Sequence, residues 1–494
     1  MTDLVLGIDI GTSSSKACLV DAEGSVLRTA ELAHQTSNPQ PGWFEHDANA
    51  VWWADAVELC HRLLTGDGET PAAVCVSGIG PCLLPANSSG EPLRPAILYG
   101  IDTRARAEIG ELEHELGTER ILARSGSPLT SQAIGPKLLW LRRQEPETWA
   151  RCRRFFMASS FLVHRLTGEY VLDHHSASQC DPIYDLGGNG WAEDWAALVA
   201  PGIELPRLLW PGEAAGRVTA SAAQLTGLRA GTPVMAGTID AWAEAASVSV
   251  QEPGDLMLMY GTTMFMVQVV ADAQPDARLW TTVGLRPGSL TLAAGMATSG
   301  ALTSWFRNVT GAGYSTLLSE AAAIGAGSNA LVVLPYFAGE RTPLFDPSAR
   351  GAIFGLTLAH GRGHLYRALL EATGFGVRHN LEAMAESAGP PARVCAVGGG
   401  TRAGLWLQIV SDITGVTQEV HQYSLGASYG DAWLAATGAG LAELTASWNP
   451  VAALVEPNPV AAEVYESLYP VYREFYPATK TLAHRLAAIQ EAGG

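Results

Sequence analysis

The sequence predicts an α/β protein built from two similar halves, and three observations lead to this fold class. The chain has 494 residues, which is longer than a single hydrophobic core usually organises. Apolar runs typical of buried strands lead through glycine turns into helical patterns in both halves. A strand–Gly-Thr–strand pattern near the start recurs half a chain later, which indicates a duplicated unit. We expect two domains, residues 1–248 and 249–494.

Composition and charge narrow the class of function. The chain is 47% hydrophobic and 16% charged, with a formal net charge of −18. Such an acidic chain is not expected to bind nucleic acid non-specifically or to carry a basic membrane-binding patch. A local binding site for an anion remains compatible with this negative net charge, because backbone amides, a lysine and a metal ion can outweigh the negative field of the whole chain.

The cysteines and the N-terminus indicate a reducing compartment. The seven cysteines are scattered and form no C-x-x-C pair, so neither a disulfide framework nor a zinc ribbon is expected. The start "MTDLVLGIDIG" lacks the basic region of a signal peptide, and no uncharged apolar run reaches membrane-spanning length. We expect a cytoplasmic enzyme.

The first chemical signal is the hairpin in "GIDIGTSSSK", Gly7 to Lys16. An apolar strand carries Asp9 near its end and then meets Gly11, Thr12 and Ser13. Backbone N–H groups and hydroxyls gathered at one turn can bind a phosphate, and a carboxylate beside them can hold Mg²⁺. An ordinary hairpin with a polar tip is the alternative interpretation.

The second signal is the repeat of this plan in "LMLMYGTTMFMVQVV". Gly261, Thr262 and Thr263 occupy the turn, and Met259 stands where the first copy has Asp9. Only the first half would therefore supply a metal carboxylate.

Two further turns join strands to helices. In "AGTIDAWAE", Asp240 is either a helix N-cap or a functional carboxylate at the junction of the halves. In "AVGGGTRAG", the triple glycine at 398–400 permits close approach of a ligand. The spacing misses the dinucleotide fingerprint by one residue, and the chain has no P-loop motif.

Nine segments in order resemble the FGGY family of carbohydrate kinases, and the resemblance covers nearly the whole chain. They are "GIDIGTSSSK", "PGWFEHDANAVWW", "PKLLWLRRQEP", "RLTGEYVLDHHSAS", "AGTIDAWAE", "EPGDLMLMYGTT", "GERTPLFDPSARGAIFGLT", "GGGTRAGLWLQIVSDITG" and "GASYGDAWLAATGAG". The resemblance implies the actin-like, ribonuclease-H-like ATPase fold with two domains around a central cleft. It also implies that the first domain binds mainly the sugar and the second mainly ATP.

The resemblance also implies roles for single residues. Asp240 matches the general base, and Asp9 matches the residue that serves Mg²⁺. The residues implied to bind ATP are Gly11, Thr12, Ser13, Lys16, Gly261, Thr262, Thr263, Gly300, Ser304, Gly399, Gly400 and Gly404. The residues implied to bind the sugar are Gly80, Pro81, Asp102, Arg104 and Asp240.

Substrate choice is the point at which the sequence departs from the pattern. Within the family the chain is most similar to xylulokinases, which carry Gln-Met-His-Gly at the sugar-contacting turn. Here the turn is Ile79-Gly80-Pro81-Cys82, so a polar histidine is replaced by proline. Ala241 also replaces the asparagine that commonly follows the base. Loss of buried polar contacts removes recognition of the matching hydroxyl, so we expect a kinase for a small ketose such as a pentulose, or for a polyol or another sugar.

Two other classes were weighed. A regulatory protein of the same fold without turnover is disfavoured by Asp9, Asp240 and both Gly-Thr turns. An actin-fold hydrolase or chaperone-like ATPase is disfavoured by the sugar-kinase segment "GERTPLFDPSARGAIFGLT". The sequence leaves the oligomeric state open, with a homodimer as one assembly.

Overall fold

A computed structural model describes residues 3–65, 70–444 and 447–493. The outer limits of the predicted domains, residues 1 and 494, lie outside this range. The chain forms two compact units. The first unit comprises Met1–Gln251, Pro275–Thr291 and Leu425–Asn449, and the second comprises Glu252–Gln274, Leu292–Ser424 and Pro450–Gly494.

The first part of the chain, up to Gln251, alternates strands and helices. Its strands are β1 (Leu4–Ile10), β2 (Ser14–Asp21), β3 (Val26–Ala33), β4 (Glu45–His46), β5 (Ala73–Gly78), β6 (Leu84–Ala86), β7 (Ala96–Ile97), β8 (Arg154–Phe156), β9 (Val171–Asp173), β10 (Tyr184–Asp185), β11 (Gly190–Trp191), β12 (Arg207–Leu209), β13 (Ala214–Arg217) and β14 (Pro233–Met235). Its helices are α1 (Ala54–Leu63), which follows a π-helical turn (Ala48–Trp53), α2 (Arg106–Leu116), α3 (Thr118–Ser125), α4 (Ile134–Gln144), α5 (Pro146–Arg151), α6 (Ala158–Thr167), α7 (His174–Ser178), α8 (Glu193–Val199), α9 (Ala220–Thr226) and α10 (Asp240–Ser247).

The remainder of the chain repeats this mixture with longer helices. Its strands are β15 (Asp255–Tyr260), β16 (Met264–Val270), β17 (Trp280–Val283), β18 (Leu290–Met296), β19 (Val332–Leu334), β20 (Ala352–Phe354), β21 (Arg393–Val397), β22 (Gln418–His421) and β23 (Val451–Val455). Its helices are α11 (Gly300–Thr310), α12 (Tyr314–Ala322), α13 (Arg362–Ala388), a 3₁₀ turn (Gly399–Arg402), α14 (Gly404–Thr414), α15 (Ala427–Gly438) and α16 (Pro459–Gly493).

The central sheet of the first unit runs in the order β13-β14-β5-β1-β2-β3. Strand β1 is almost entirely buried, as expected for an apolar run between two neighbours. It pairs antiparallel with β2, which places Asp9 opposite Lys16, and parallel with β5, which places Asp9 opposite Ser77. The predicted hairpin is therefore confirmed, and the parallel partner brings a second polar residue next to Asp9.

The sheet of the second unit contains the strands β16-β15-β21-β22-β23 in that order. Strand β15 pairs antiparallel with β16 and parallel with β21, which is the pairing that β1 makes with β2 and β5. The repeated pairing confirms the duplicated plan predicted from the two Gly-Thr turns.

Helix α15 belongs to the first unit, although it lies within the second half of the sequence. Contacts with backbone atoms hold it there. A Cβ atom added at Gly430 would lie 1.7 Å from the carbonyl oxygen of Ala243 in α10, and one at Gly7 in β1 would lie 1.9 Å from that of Ser428. Only glycine permits this approach, so β1, α10 and α15 pack closely enough to bring their polar residues together.

None of the helices in the described residues is long and apolar enough to cross a membrane.

The contact at Gly430 predicts a large effect of one methyl group. We expect Gly430→Ala to lower the free energy of unfolding by about 2 kcal/mol or more, because the new Cβ overlaps the α10 backbone. Gly110→Ala is the matched control: this helical glycine is exposed and nothing lies within 4 Å of its added Cβ. The control should gain up to about 1 kcal/mol from helix propensity. Denaturant unfolding measures both, and equal stability of Gly430→Ala and the wild type would contradict the packing described.

Candidate functional site

The predicted phosphate turn lies between β1 and β2. The backbone N–H of Gly11 donates to the carbonyl of Ser14 at 3.0 Å, which closes the turn. A Cβ added at Gly11 would lie 2.7 Å from that same carbonyl oxygen, so the tight turn requires glycine. The hydroxyl groups of Thr12 and Tyr99 are hydrogen-bonded at 3.1 Å, and Ser13 is exposed.

Asp9 lies in β1 just before this turn and is 8% exposed. The hydroxyl of Ser77 lies 3.3 Å from its Oδ1 atom. Burial raises the pKa of Asp9 to about 6, although the charges of Lys16 and His34 oppose the rise. The Lys16 side chain is 46% exposed and lies 3.9 Å from Glu31, so it only partly balances the charge of Asp9.

Asp240 is the first residue of α10, and Ile239 occupies the N-cap position. Its Oδ1 atom accepts a hydrogen bond from the N–H of Ala241 at 2.7 Å. Burial, the charge of Asp9 and then that of Glu244 hold the pKa of Asp240 well above its usual range. Ionisation of this carboxylate therefore costs free energy in the folded state, and a residue that only capped the helix would not need to incur that cost.

The backbone around Asp240 is fixed on both sides. The hydroxyl of Thr238 donates to Asp173 at 2.9 Å. On the other side the Trp242 ring stacks on the ring of His175, with 3.8 Å between their centroids. These contacts hold the start of α10 in one place, which is what a reacting side chain requires.

Three further polar residues complete the cluster, and the sequence analysis did not select them. Ser77 donates to Asp431 through its hydroxyl at 2.6 Å and through its N–H at 3.1 Å, so it bridges Asp431 and Asp9. Burial holds the pKa of Asp431 well above its usual range. Glu244 lies one turn after Asp240 on α10, and burial with the charge of Asp9 raises its pKa to about 7. The i, i+4 spacing of Asp240 and Glu244 was a usable signal for this residue.

The donor set of this cluster fits a divalent cation. Carboxylate oxygens are the ligands that Mg²⁺ prefers, and Mg²⁺ is usually held by one or two carboxylates together with substrate phosphates. The charge of Asp9 raises the pKa values of Asp240, Glu244 and Asp431, so a bound cation would stabilise the group. Asp9, which lies beside the Gly11 turn, is the carboxylate predicted to bind that cation.

A different trio of ligand-type side chains lies in the second unit, where Cys395, Glu419 and His421 have ligand atoms within 4.8 Å of one another. The guanidinium of Arg393 already lies among them, 3.2 Å from Cys395 Sγ and 3.1 Å from Glu419. Arg393 also pairs with Asp255 at 2.9 Å. A cation of the protein itself thus already pairs with two of these three ligand-type side chains.

The predicted sugar turn lies against the start of α10. A Cβ added at Gly80 would lie 2.5 Å from Cγ1 of Ile239, the residue before Asp240. Cys82 is buried and its Sγ lies 3.4 Å from the carbonyl of Ile79. Burial raises the pKa of this thiol to about 12, with the charge of Asp240 adding to the rise. The structure therefore places the Gly80 turn against the residue that precedes Asp240.

Asp102 and Arg104, also predicted to bind the sugar, form an internal ion pair. The side chains of both are 0% exposed, and two N–H groups of Arg104 lie 2.7 and 2.9 Å from the Asp102 carboxylate. A further N–H donates to Glu45 at 2.8 Å, and the guanidinium lies 4.1 Å from the centroid of the Trp43 ring. Their hydrogen bonds are thus directed into the protein, and sugar binding by these two residues stays a prediction.

In the second unit the Gly261 turn and the start of α11 meet. The N–H of Gly300 donates to the carbonyl of Gly261 at 3.0 Å, and the N–H of Ala301 donates to that of Thr262 at 3.0 Å. The N–H of Gly261 in turn donates to the carbonyl of Thr263 at 3.1 Å. Ser304, one turn along α11, is hydrogen-bonded to Tyr314 at 2.8 Å.

The triple-glycine turn at 398–400 lies next to the Gly261 turn. It links β21 to α14 as predicted, with Gly398 at a φ of +90°. A Cβ added at Gly400 would lie 2.8 Å from Cβ of Tyr260, the residue before Gly261. Nothing lies within 4 Å of a Cβ added at Gly399 or Gly404, so these two positions leave open space. Five of the six glycines predicted to bind ATP therefore come from three segments of the second unit, and the sixth, Gly11, lies in the first unit.

Known proteins resemble this chain in both sequence and architecture. The family models for the N-terminal and C-terminal domains of the FGGY family of carbohydrate kinases match residues 4–246 and 256–439. The xylulose kinase of Escherichia coli (strain K12) is 30% identical over 470 residues, covering 92% of each chain. Glycerol kinase 1 of Pseudomonas aeruginosa is 30% identical over 471 residues, covering 91% of this chain and 94% of that protein.

A solved structure agrees with these matches. The xylulose kinase from Rhodospirillum rubrum is 33% identical, with a TM-score of 0.89 and coverage of 97% of this chain and all of that one. The resemblance drawn from the nine sequence segments is thereby confirmed, together with the actin-like fold class and the enzyme class. The protein belongs to the FGGY family of carbohydrate kinases and is an ATP-dependent sugar kinase.

Proposed function

We propose that this kinase transfers the γ-phosphoryl group of ATP to a hydroxyl of a small ketose of pentulose size. The names of its relatives support a pentulose as the acceptor, because xylulose kinases are similar to this protein over nearly the whole chain. The observation that carries the proposal is the position of Asp240, a half-buried carboxylate with a raised pKa whose preceding residue, Ile239, contacts Gly80. We assign acceptor binding to the first domain, residues 1–248, and nucleotide binding mainly to the second, residues 249–494.

In the proposed reaction, the acceptor hydroxyl oxygen forms a bond to the γ-phosphorus, and the bond from that phosphorus to the β–γ bridging oxygen breaks. ADP leaves with that electron pair, and the hydroxyl proton moves to the carboxylate of Asp240. A raised pKa makes Asp240 a stronger proton acceptor than an exposed aspartate. Thr238 and Trp242 hold its backbone, so its position does not depend on the substrate.

The remaining assignments concern the nucleotide. Gly11, Thr12 and Ser13 of the first unit, and Gly261, Thr262 and Thr263 of the second, would bind its phosphates through backbone N–H groups and hydroxyls. Lys16, Gly300 and Ser304 would line the nucleotide, and the glycines at 399, 400 and 404 would flank the adenine. Asp9 would hold Mg²⁺, which supplies charge neutralisation of the transferred phosphoryl group.

The acceptor turn predicts the substrate preference. We expect the best substrate to be a small ketose, with D-xylulose weaker than that substrate. Pro81 has no N–H to donate, and the Cys82 thiol lies against the carbonyl of Ile79 rather than free for a sugar hydroxyl. A coupled ADP-release assay over pentuloses, hexuloses and polyols measures kcat/KM for each. A clear D-xylulose optimum would contradict the argument from the turn, and a glycerol optimum would contradict the ketose assignment.

Replacement of the proposed base tests whether Asp240 is catalytic. We expect Asp240→Asn to keep the fold and both substrate affinities while kcat falls by about 10²–10⁴-fold, the usual contribution of general-base catalysis. Asp47→Asn is the matched control, because Asp47 caps the Ala48–Trp53 turn through hydrogen bonds from Asn49 and Ala50. Asparagine caps as well as aspartate, so the control should retain full turnover. Steady-state kinetics measures kcat for each variant. If the Asp240→Asn enzyme keeps most of the wild-type kcat, the proposed mechanism is excluded.

A further inference from the structure

His34, which directly follows β3, lies behind the Gly11 turn with its side chain 7% exposed. Its Nδ1 atom lies 2.8 Å from Oδ2 of Asp55, and its Nε2 atom lies 3.1 Å from the carbonyl oxygen of Gly11. Carboxylate and carbonyl oxygens only accept hydrogen bonds. A carbonyl oxygen carries no proton, so the Nε2–H of the ring is the donor to Gly11.

Asp55 is itself held in place. Its Oδ2 atom also accepts a hydrogen bond from the hydroxyl of Ser15 at 2.7 Å, and Ser15 is 0% exposed. The carboxylate on α1 thus has a fixed position from which it orients the ring of His34.

Other titratable groups also face this ring. The charge of His34 acts on Asp9 and lowers the pKa of that carboxyl. The ring of His46 meets that of His34 edge to face, with 5.1 Å between centroids. Burial, and then the charge of His34, lowers the pKa of His46 to about 4, so His46 is neutral at physiological pH.

Neutral His46 supports the next carbonyl of the turn. Its Nδ1 atom accepts a hydrogen bond from Trp52 at 3.0 Å, so its Nε2–H is the donor to Thr36 at 3.0 Å. The hydroxyl of Thr36 then donates to the carbonyl of Thr12 at 3.0 Å. The carbonyls of Gly11 and Thr12 are thus both held from behind.

This anchoring determines where the N–H groups of the turn point. In a trans peptide the C=O and the N–H of the same peptide plane point in opposite directions. Fixing the carbonyl of Gly11 therefore fixes the N–H of Thr12, and fixing that of Thr12 fixes the N–H of Ser13. Both N–H groups are directed away from His34, toward the side on which a phosphate would bind.

We propose that His34, oriented by Asp55, is a positioning residue for ATP that holds the Gly11–Thr12 peptide through its hydrogen bond to the Gly11 carbonyl. The proposal rests on the assignment of the Gly11 turn to the ATP phosphates. Neither His34 nor Asp55 touches the phosphate itself. They act through the turn.

The first test is His34→Gln, which replaces the ring by an amide and loses one of its two hydrogen bonds. We expect the Kd for MgATP, measured by calorimetry, to rise about fivefold or more, the size expected for the loss of one neutral hydrogen bond. The Kd for the sugar and kcat at saturating ATP should change much less. His61→Gln, at an exposed histidine on α1, is the matched control and should bind MgATP as the wild type does. Equal MgATP affinity of His34→Gln and the wild type would overturn the proposal.

The split between the two substrates separates this role from a merely structural one. A general loss of structure would weaken the binding of both substrates and lower kcat, whereas a positioning role for the Gly11 turn raises the Kd for MgATP alone. A rise in the Kd for the sugar as large as the rise for MgATP would contradict the proposal. Should His34→Gln fail to fold, Asp55→Asn provides the same test, because it changes the group that orients the ring.

Thr12→Val separates failure of this inference from failure of the phosphate assignment. If Thr12→Val and His34→Gln both bind MgATP as tightly as the wild type, the Gly11 turn does not bind phosphate, and the assignment on which the inference rests fails with it. If Thr12→Val weakens binding while His34→Gln does not, the inference alone fails. Weakening by both is the expected result.

Discussion

The burial of like charges around Ser77 is the constraint on which the first unit depends. Asp9 and Asp431 share this serine, and Asp240 and Glu244 lie close enough for their charges to raise the pKa values of neighbours. Buried carboxylates without cations of equal number weaken a fold, so their presence requires a functional reason. Phosphoryl transfer provides one, because it uses both a proton acceptor and a divalent cation.

The surrounding structure serves to hold these groups in place. Helix α15 carries Asp431 to the cluster, and the glycines at 7 and 430 allow it to reach β1 and α10 without side chains intervening. The Gly11 turn, next to Asp9, is anchored by His34 and Thr36 through its carbonyls. Rigid support of this kind fixes backbone N–H groups before the ligand arrives, so little reorganisation remains to be done on binding.

Sequence reasoning reached the elements with local signals and missed those that depend on packing. Both hairpins and the triple-glycine turn follow from apolar runs that end in glycine, which is a local pattern. The link from Ser77 to Asp431 spans more than half the chain, and no local pattern reports it. The predicted sugar ligand Arg104 has its guanidinium enclosed by Asp102, Glu45 and the Trp43 ring, an arrangement that only the tertiary structure reveals.

The most direct test of the central claim is the free energy of unfolding of Asp240→Asn and the wild type as a function of pH. Burial raises the pKa of Asp240 from 3.8, so ionisation costs the folded state stability as pH rises above about 4. Asparagine cannot ionise. The variant should therefore be more stable than the wild type at pH 8, with an advantage that shrinks to nothing near pH 4. A variant that is equally or less stable at pH 8 would show that Asp240 serves the fold, and would contradict the cluster as a functional site.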